Sequence, residues 1–217
     1  MLFKSNRAGT QLRFSQNLEC GDIGSSLILR ELQHRMANTL TVLHASLSLE
    51  FAAVTDPALK DAVKRLGMQI ISVAELHRFF ADSAGDGEIS TEAYFQRLGA
   101  ILSRSVLAPL GIHCETFVDK GSLSAEKCEW LGLTIAELVI NAAKHAFRGD
   151  IGGRVRIEIL ARGARWICAV SDNGVGMQSS PRGSGSKITD ALIESLGGRL
   201  LTHTGPEGTT ASIDFVR

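Results

Sequence analysis

Neither sign of charge predominates in this chain. Its 217 residues carry 23 Lys+Arg and 23 Asp+Glu, so no global field favours nucleic acid or an anionic membrane as a partner. No apolar run approaches the roughly 20 residues that a membrane span needs. Met1 to Cys20 contains Lys4, Arg7 and Arg13 but no apolar h-region, which excludes a secretory signal peptide there. Cysteine is scarce and scattered: Cys20, Cys114, Cys128 and Cys168 form no Cys-x-x-Cys pair and no Cys/His cluster. Inert thiols in a reducing cytosol are expected, and with them a cytoplasmic location. There is no internal repeat and no low-complexity tract. What remains, 44% hydrophobic and 21% charged, is the composition of an ordinary globular protein. Its length suits one large domain or two small ones.

Residues 1–24 are polar, with little periodicity, and are expected to be a flexible leader, with a helix starting near Ser25-Ser26. From Leu27 to Val54 the apolar residues Leu32, Met36, Leu40, Leu43, Leu47 and Phe51 step by fours and threes. That spacing predicts an amphipathic helix with a coiled-coil-like seam. Thr55-Asp56-Pro57 supplies a turn, with Asp56 as N-cap and Pro57 at the first helical position. A second helix follows, striped by Val63, Leu66, Ile70, Val73 and Phe80. The resulting hairpin (residues 25–84) cannot bury both of its stripes alone, so it is expected to pair with a second copy as a homodimer or to dock elsewhere. Asp82 to Glu88 reads as a linker. Beyond it, residues 89–217 mix helix and strand. Helices are expected over Thr91–Leu107, Cys128–Phe147 and Ile188–Leu196, the last ending at Gly197-Gly198. Strands are expected over Ile112–Val118, Arg154–Leu160, Trp166–Ser171, Leu200–His203 and Thr209–Val216. The class is α+β.

Within Glu137-Leu-Val-Ile-Asn141-Ala-Ala-Lys144-His145 the polar residues Glu137, Asn141 and Lys144 recur at intervals of four and three. At roughly 100° per residue they share one face of an otherwise apolar helix, and such groups are costly to bury without partners. A solvated amphipathic face would explain the stretch if it stood alone. It is followed, however, by Asp172-Asn-Gly174-Val-Gly176-Met177 at a strand end and by Gly183-Ser-Gly185 at a helix start. A carboxylate backed by glycines can accept from an exocyclic amine while a planar ligand approaches, although Asp-Asn-Gly is also a common turn. A Gly-rich helix N-terminus suits phosphate. Asn141 offers a neutral oxygen to a hard cation held mainly by phosphates and water.

Taken together, these residues resemble the ATP-binding domain of the histidine kinase, gyrase, Hsp90 and MutL (GHKL) superfamily. Glu137 to His145 matches its N box, Asp172 to Met177 its G1 box, Gly183 to Gly185 its G2 box, and Gly208-Thr209 its closing Gly-Thr. The resemblance covers about residues 89–217. It implies a Bergerat-type α/β sandwich, a mixed five-stranded sheet with helices on one face. It also implies roles: Asn141 on Mg²⁺, Asp172 on the adenine amine, and Gly174 and Gly176 beside the base. Gly183 and Gly185 would lie at the phosphates of ATP, with Lys144, His145 and Thr209 nearby. Two departures stand out: the lid segment Gln178–Arg182 is short, and Ser186-Lys187 replaces the usual apolar residue after the second glycine.

In the first helix, Glu31-Leu-Gln-His34-Arg35-Met-Ala-Asn38 resembles the phosphoacceptor box of the histidine kinase subfamily whose motif runs His-Arg-x-x-Asn. His34 lies between Leu32 and Met36 and so faces away from the apolar seam, with Asn38 one turn on. A sister subfamily's Trp-x-Glu is missing at Trp166, since Cys168 occupies the third place. His44 and His77 are expected to be packing or rim residues, and His113 and His203 have no partner suggesting a metal. The resemblance implies a cytoplasmic histidine kinase of a two-component system. A neutral imidazole is a competent nucleophile near pH 7, and Glu137 or Glu31 would orient it or take its proton. The phosphoryl group would pass from His34 to an aspartate on a response regulator receiver domain. Asn38 would orient a water for the reverse phosphatase reaction. Input is expected through an upstream sensor protein. Two alternatives stay open: a phosphotransfer adaptor with a weak ATP site, and a serine kinase of an anti-sigma system.

Overall fold

A computed structural model describes residues 8–83, 87–147, 152–176 and 184–217. Two long helices, α1 (Ala8–Glu50) and α2 (Pro57–Ser83), form an antiparallel hairpin. Its turn is the one expected. Asp56 Oδ1 accepts from the N–H groups of Ala58 and Leu59 at 2.8 and 3.2 Å, with Pro57 opening the helix. The start of α1 differs: the helix begins at Ala8 rather than near Ser25-Ser26 and so takes in most of the segment read as a leader. Gln11, Leu12, Arg13, Gln16, Leu18 and Glu19 are good helix formers, and an interior glycine costs only about 1 kcal/mol.

The expected seam of α1 is covered only in part, with Leu40, Leu47 and Phe51 half-buried. Leu32, Met36 and Leu43 are 52%, 49% and 52% exposed, whereas Gln33 and Ala37 are buried. Hydrophobic periodicity finds a stripe but does not say which partner it meets.

The core of the hairpin continues past its end. Leu76, Phe79 and Phe80 of α2 belong to one cluster with Tyr94, Leu98, Leu131 and Ile135. The Phe79 ring lies 4.8 Å from that of Tyr94 and 5.5 Å from that of Phe80. Residues 84–86 of the expected linker lie outside the described residues. The composition change there marks two textures of sequence but a single shared core.

Next come β1 (Glu88–Ser90), α3 (Thr91–Leu102), β2 (His113–Val118), β3 (Ser122–Ser124) and α4 (Ala125–His145). They are followed by β4 (Arg154–Arg162), β5 (Arg165–Asp172), α5 (Ser184–Ser195), β6 (Arg199–Gly205) and β7 (Gly208–Val216). The α-helical geometry of α3 stops at Leu102, short of Leu107, because Ser103–Leu107 widens into a π-turn. That turn aims Ser105 Oγ at the Ser72 carbonyl of α2 (3.2 Å) and Arg104 at Glu75 (2.9 Å). α4 begins at Ala125 rather than Cys128, since Ser124 Oγ accepts from Lys127 N at 3.3 Å and caps it. The antiparallel pair β1–β3 has three residues a strand, too few for a periodic signal.

The main sheet has the order β2-β4-β5-β7-β6, with β2 parallel to β4 and the remaining pairs antiparallel. Val155, Ile157 and Ile159, then Trp166, Cys168 and Val170, then Ala211, Ile213 and Phe215 alternate onto its buried face. They join one core with residues of α3, α4 and α5. This is the expected five-stranded sheet covered by helices. Burial pushes the Cys128 and Cys168 thiols up to about 12, with the Glu88 charge adding at Cys128, which fits inert packing residues. Gly197, at φ 63°, ends α5 as expected, the N–H groups of Gly197 and Gly198 reaching the Glu194 and Ile193 carbonyls.

Candidate functional site

The polar face of α4 lies on its last turns. Glu137 and Asn141 are half-buried, while Lys144 and His145 are exposed in the final turn, where cations complement the helix dipole. Asn141 Nδ2 donates to Glu137 Oε1 at 3.4 Å. That bond uses one of the two amide hydrogens and leaves the carbonyl oxygen of Asn141 pointing away from Glu137.

The loop leaving β5 is tied down on three sides. Asp172 Oδ1 accepts from Gly174 N at 2.9 Å and from Thr209 N of β7 at 3.2 Å. Asn173 Oδ1 accepts from Arg154 N at the start of β4 at 2.7 Å. Val175 N donates to the Ala146 carbonyl, just past α4, at 2.9 Å. A methyl on Gly174 would sit 2.2 Å from that same carbonyl oxygen. Gly176 and Gly208 have φ of 73° and 122°, conformations that L side chains rarely adopt. A Cβ there would come within 2.1 Å of Gly205 O and 1.9 Å of Asp172 O respectively. The glycines therefore let β5, the β6–β7 hairpin and the end of α4 meet around Asp172, whose Oδ2 accepts from no described residue. The Oγ1 atoms of Thr204 and Thr209 lie 3.1 Å apart across the hairpin.

The structure thus brings Asp172, Gly174, Gly176 and Thr209 together beside the end of the helix carrying Glu137, Asn141, Lys144 and His145. Gly185 lies in the first turn of α5. Gly183, Met177 and the short segment Gln178–Arg182 lie outside the described residues. On α1, His34 is half-buried and Asn38 exposed. Glu31 Oε1 accepts from Arg35 Nε at 2.8 Å. Among the described residues, no hydrogen bond or ion pair joins His34 to Glu137 or Asp172. Reading the sequence missed the structural part of Asn173, Ala146 and Thr204. The Asp-Asn-Gly turn signal pointed to Asn173; a backbone carbonyl such as that of Ala146 leaves no trace in a sequence.

Two family matches meet in this architecture. Residues 31–106 match the family described as Histidine kinase, and residues 127–217 that of Histidine kinase-, DNA gyrase B-, and HSP90-like ATPases. The chain thus carries a histidine kinase part followed by an ATPase part of that second family. The chain is 29% identical over 191 residues to the sensor histidine kinase PdtaS of Mycolicibacterium smegmatis, covering 84% of this chain and 38% of that protein. It is 24% identical over 195 residues to blue-light-activated histidine kinase 2 of Erythrobacter litoralis, covering 86% of this chain and 56% of the relative. It therefore spans only part of the length of these relatives. A solved histidine kinase domain of an Erythrobacter litoralis blue-light-activated kinase shares the fold, at TM-score 0.58 and 20% identity over 89% of this chain and 94% of that one.

Proposed function

We propose that this chain is a two-component kinase core that phosphorylates itself on His34 with ATP and passes the phosphoryl group to an aspartate of a response regulator. The observation that carries this reading is the pairing of His34-Arg35-x-x-Asn38 on α1 with an Asp172 whose carboxylate is held by two backbone N–H groups. Asp172 Oδ2 is the acceptor for the adenine amine, with Gly174 and Gly176 beside the base and Gly183, Gly185, Lys144, His145 and Thr209 toward the phosphates. The donor set at Asn141 fits Mg²⁺: a single neutral oxygen suits an ion that keeps phosphate and water ligands. When bound, the ion spreads the charge of the transferring group.

In the transfer, a lone pair on a ring nitrogen of neutral His34 forms the N–P bond as the bond to the β-phosphate oxygen breaks and ADP leaves with the electron pair. The proton on the second ring nitrogen goes to a carboxylate, for which Glu137 is the candidate. Asn38, exposed one turn from His34, is placed to orient water on an aspartyl phosphate in the reverse, phosphatase reaction. The exposed stripe of Leu32, Met36 and Leu43 supports a homodimer through the hairpin, since an apolar face of this kind is otherwise left to water. We further read residues 25–84 as the dimerisation and phosphotransfer part and 89–217 as the ATP-binding part of a cytoplasmic protein that takes its signal from an upstream sensor. Among the described residues no helix is long and apolar enough to cross a membrane.

The test is incubation with γ-labelled ATP and Mg²⁺, beside His34→Ala and Asn141→Ala. Acid-labile label on wild type alone is the expected result. A chain that takes no label from ATP but accepts it from a phosphorylated receiver would overturn the kinase reading.

A further inference from the structure

The face that α1 turns toward α2 mixes polar and small residues with half-buried Leu40 and Leu47, as α2 does with Val63 and Ile70. His77 Nδ1–H of α2 donates to Gln33 Oε1 of α1, and Gln33 is only 8% exposed. One turn further along each helix, Ala37 and Ala74 are both buried. Two turns beyond that, a Cβ on Gly67 would lie 3.1 Å from the His44 ring. Gln33, Ala37 and His44 thus run antiparallel to His77, Ala74 and Gly67 at heptad-like spacing. Outside this seam, Arg78 reaches Thr41 Oγ1 at 3.5 Å.

A single buried polar pair in a helix–helix seam costs stability against an apolar pair of the same size, but it admits one register. Small residues tolerate sliding, because alanines offer no knob that fits only one hole. Among the described seam residues, the Gln33–His77 bond therefore adds a directional, register-specific contact to the packing of the apolar residues around it. Gln33 is also the residue before His34. With Gln33 fixed toward α2, His34 is fixed roughly 100° around the helix. A slip of one turn would carry it about 5.4 Å along the axis.

We propose that Gln33 and His77 are positioning residues: their hydrogen bond locks α1 in the register and rotation that present His34 to the ATP-binding part. The inference rests on the reading of His34 as phosphoacceptor. Burial holds the His77 ring below its ordinary pKa, which keeps it neutral with one N–H to give.

Three chains test this: wild type, Gln33→Leu/His77→Leu, and the reciprocal Gln33→His/His77→Gln. Each is also made with Ala37→Cys/Ala74→Cys, whose oxidative cross-linking reports register without reference to His34. Melting temperature is followed throughout. The double leucine chain should fold at least as stably as wild type, yet cross-link less and label His34 about 10- to 100-fold more slowly at saturating ATP, with KM for ATP unchanged. The reciprocal chain should recover both readouts. Unchanged cross-linking and labelling in the double leucine chain would overturn the inference. Cross-linking lost in the double leucine chain, while wild type takes no label on His34, would support the register device and overturn the phosphoacceptor reading instead.

Discussion

Asp172 does two jobs with two oxygens, and the two can be separated. Oδ1 holds the N–H groups of Gly174 and Thr209 at 2.9 and 3.2 Å, while Oδ2 is proposed to meet the adenine amine. Asp172→Asn keeps an oxygen that can face the two backbone donors and places an NH₂ where Oδ2 was. Bonds to a charged acceptor are worth about 1 kcal/mol more each than bonds to a neutral one. For a half-exposed group, the loss on Asp172→Asn should total about 1–2 kcal/mol, or roughly 2–8 °C in melting temperature at this chain length. Asp172→Ala strands both donors and should cost about 2–4 kcal/mol, roughly 4–16 °C. Nucleotide binding should divide differently. In Asp172→Asn a donor meets the donor on adenine, removing a charged hydrogen bond and weakening ATP by about 10- to 100-fold. Guanine carries an accepting oxygen at that ring position, so GTP should gain relative to ATP. Titration with a ribose-labelled fluorescent ATP, competed by unlabelled ATP and GTP, reads both effects beside a thermal melt. If Asp172→Asn binds ATP within about threefold of wild type, or melts with Asp172→Ala, the division of labour is refuted.

Gly208→Ala forces a side chain into φ 122° with its Cβ 1.9 Å from Asp172 O. A loss of at least about 2 kcal/mol, or roughly 4–8 °C, is expected in a thermal melt, and an unshifted melt would contradict it. Phe79→Ala removes a ring buried against Phe80 and Tyr94 and should cost about 3–5 kcal/mol. Urea unfolding followed by probes in both the hairpin and the sheet should then shift both together; separate transitions would argue against a shared core. Glu129 is buried with Oε1 unpartnered, and burial, aided by Glu126 and opposed by Arg30, raises its pKa above the ordinary 4.5. The stability this group supports is therefore complete below pH 4.5 and falls as pH rises through the folded-state value. Glu129→Gln should melt close to wild type at pH 4 and above it at pH 8, and a pH-independent difference would sink the argument.

The ATP-site motifs were legible because their chemistry needs particular residues at fixed places. Asp172 must end a strand, Gly208 stands in the closing Gly-Thr pair, and Asp56 announces a helix start by its cap, whereas the Ser124 cap of α4 went unread. The partner of each face was harder to read. Leu32, Met36 and Leu43 define a stripe without saying that α2 covers Gln33 and Ala37 instead. The polar and glycine content of the first 24 residues masked good helix formers, so α1 begins earlier than expected. Phe79 and Phe80 sit at the end of a helical pattern, next to a linker-like stretch that gives no hint of the aromatic core beyond it. The three-residue strands β1 and β3 are set by tertiary pairing, which leaves no mark on so short a sequence.

The continuity of the core through Leu76, Phe79 and Phe80 bears on how this chain can be recombined. A chimera joined at residues 84–88, where composition suggests a seam, would strip three large apolar side chains from the sheet-bearing half. It would uncover Tyr94, Leu98 and Leu131, at roughly 1.5–3 kcal/mol per lost side chain. A graft made upstream of Ala74, inside α2, keeps those side chains with the half they stabilise. The last turns of α2 thus travel with the sheet-bearing half as one heritable unit.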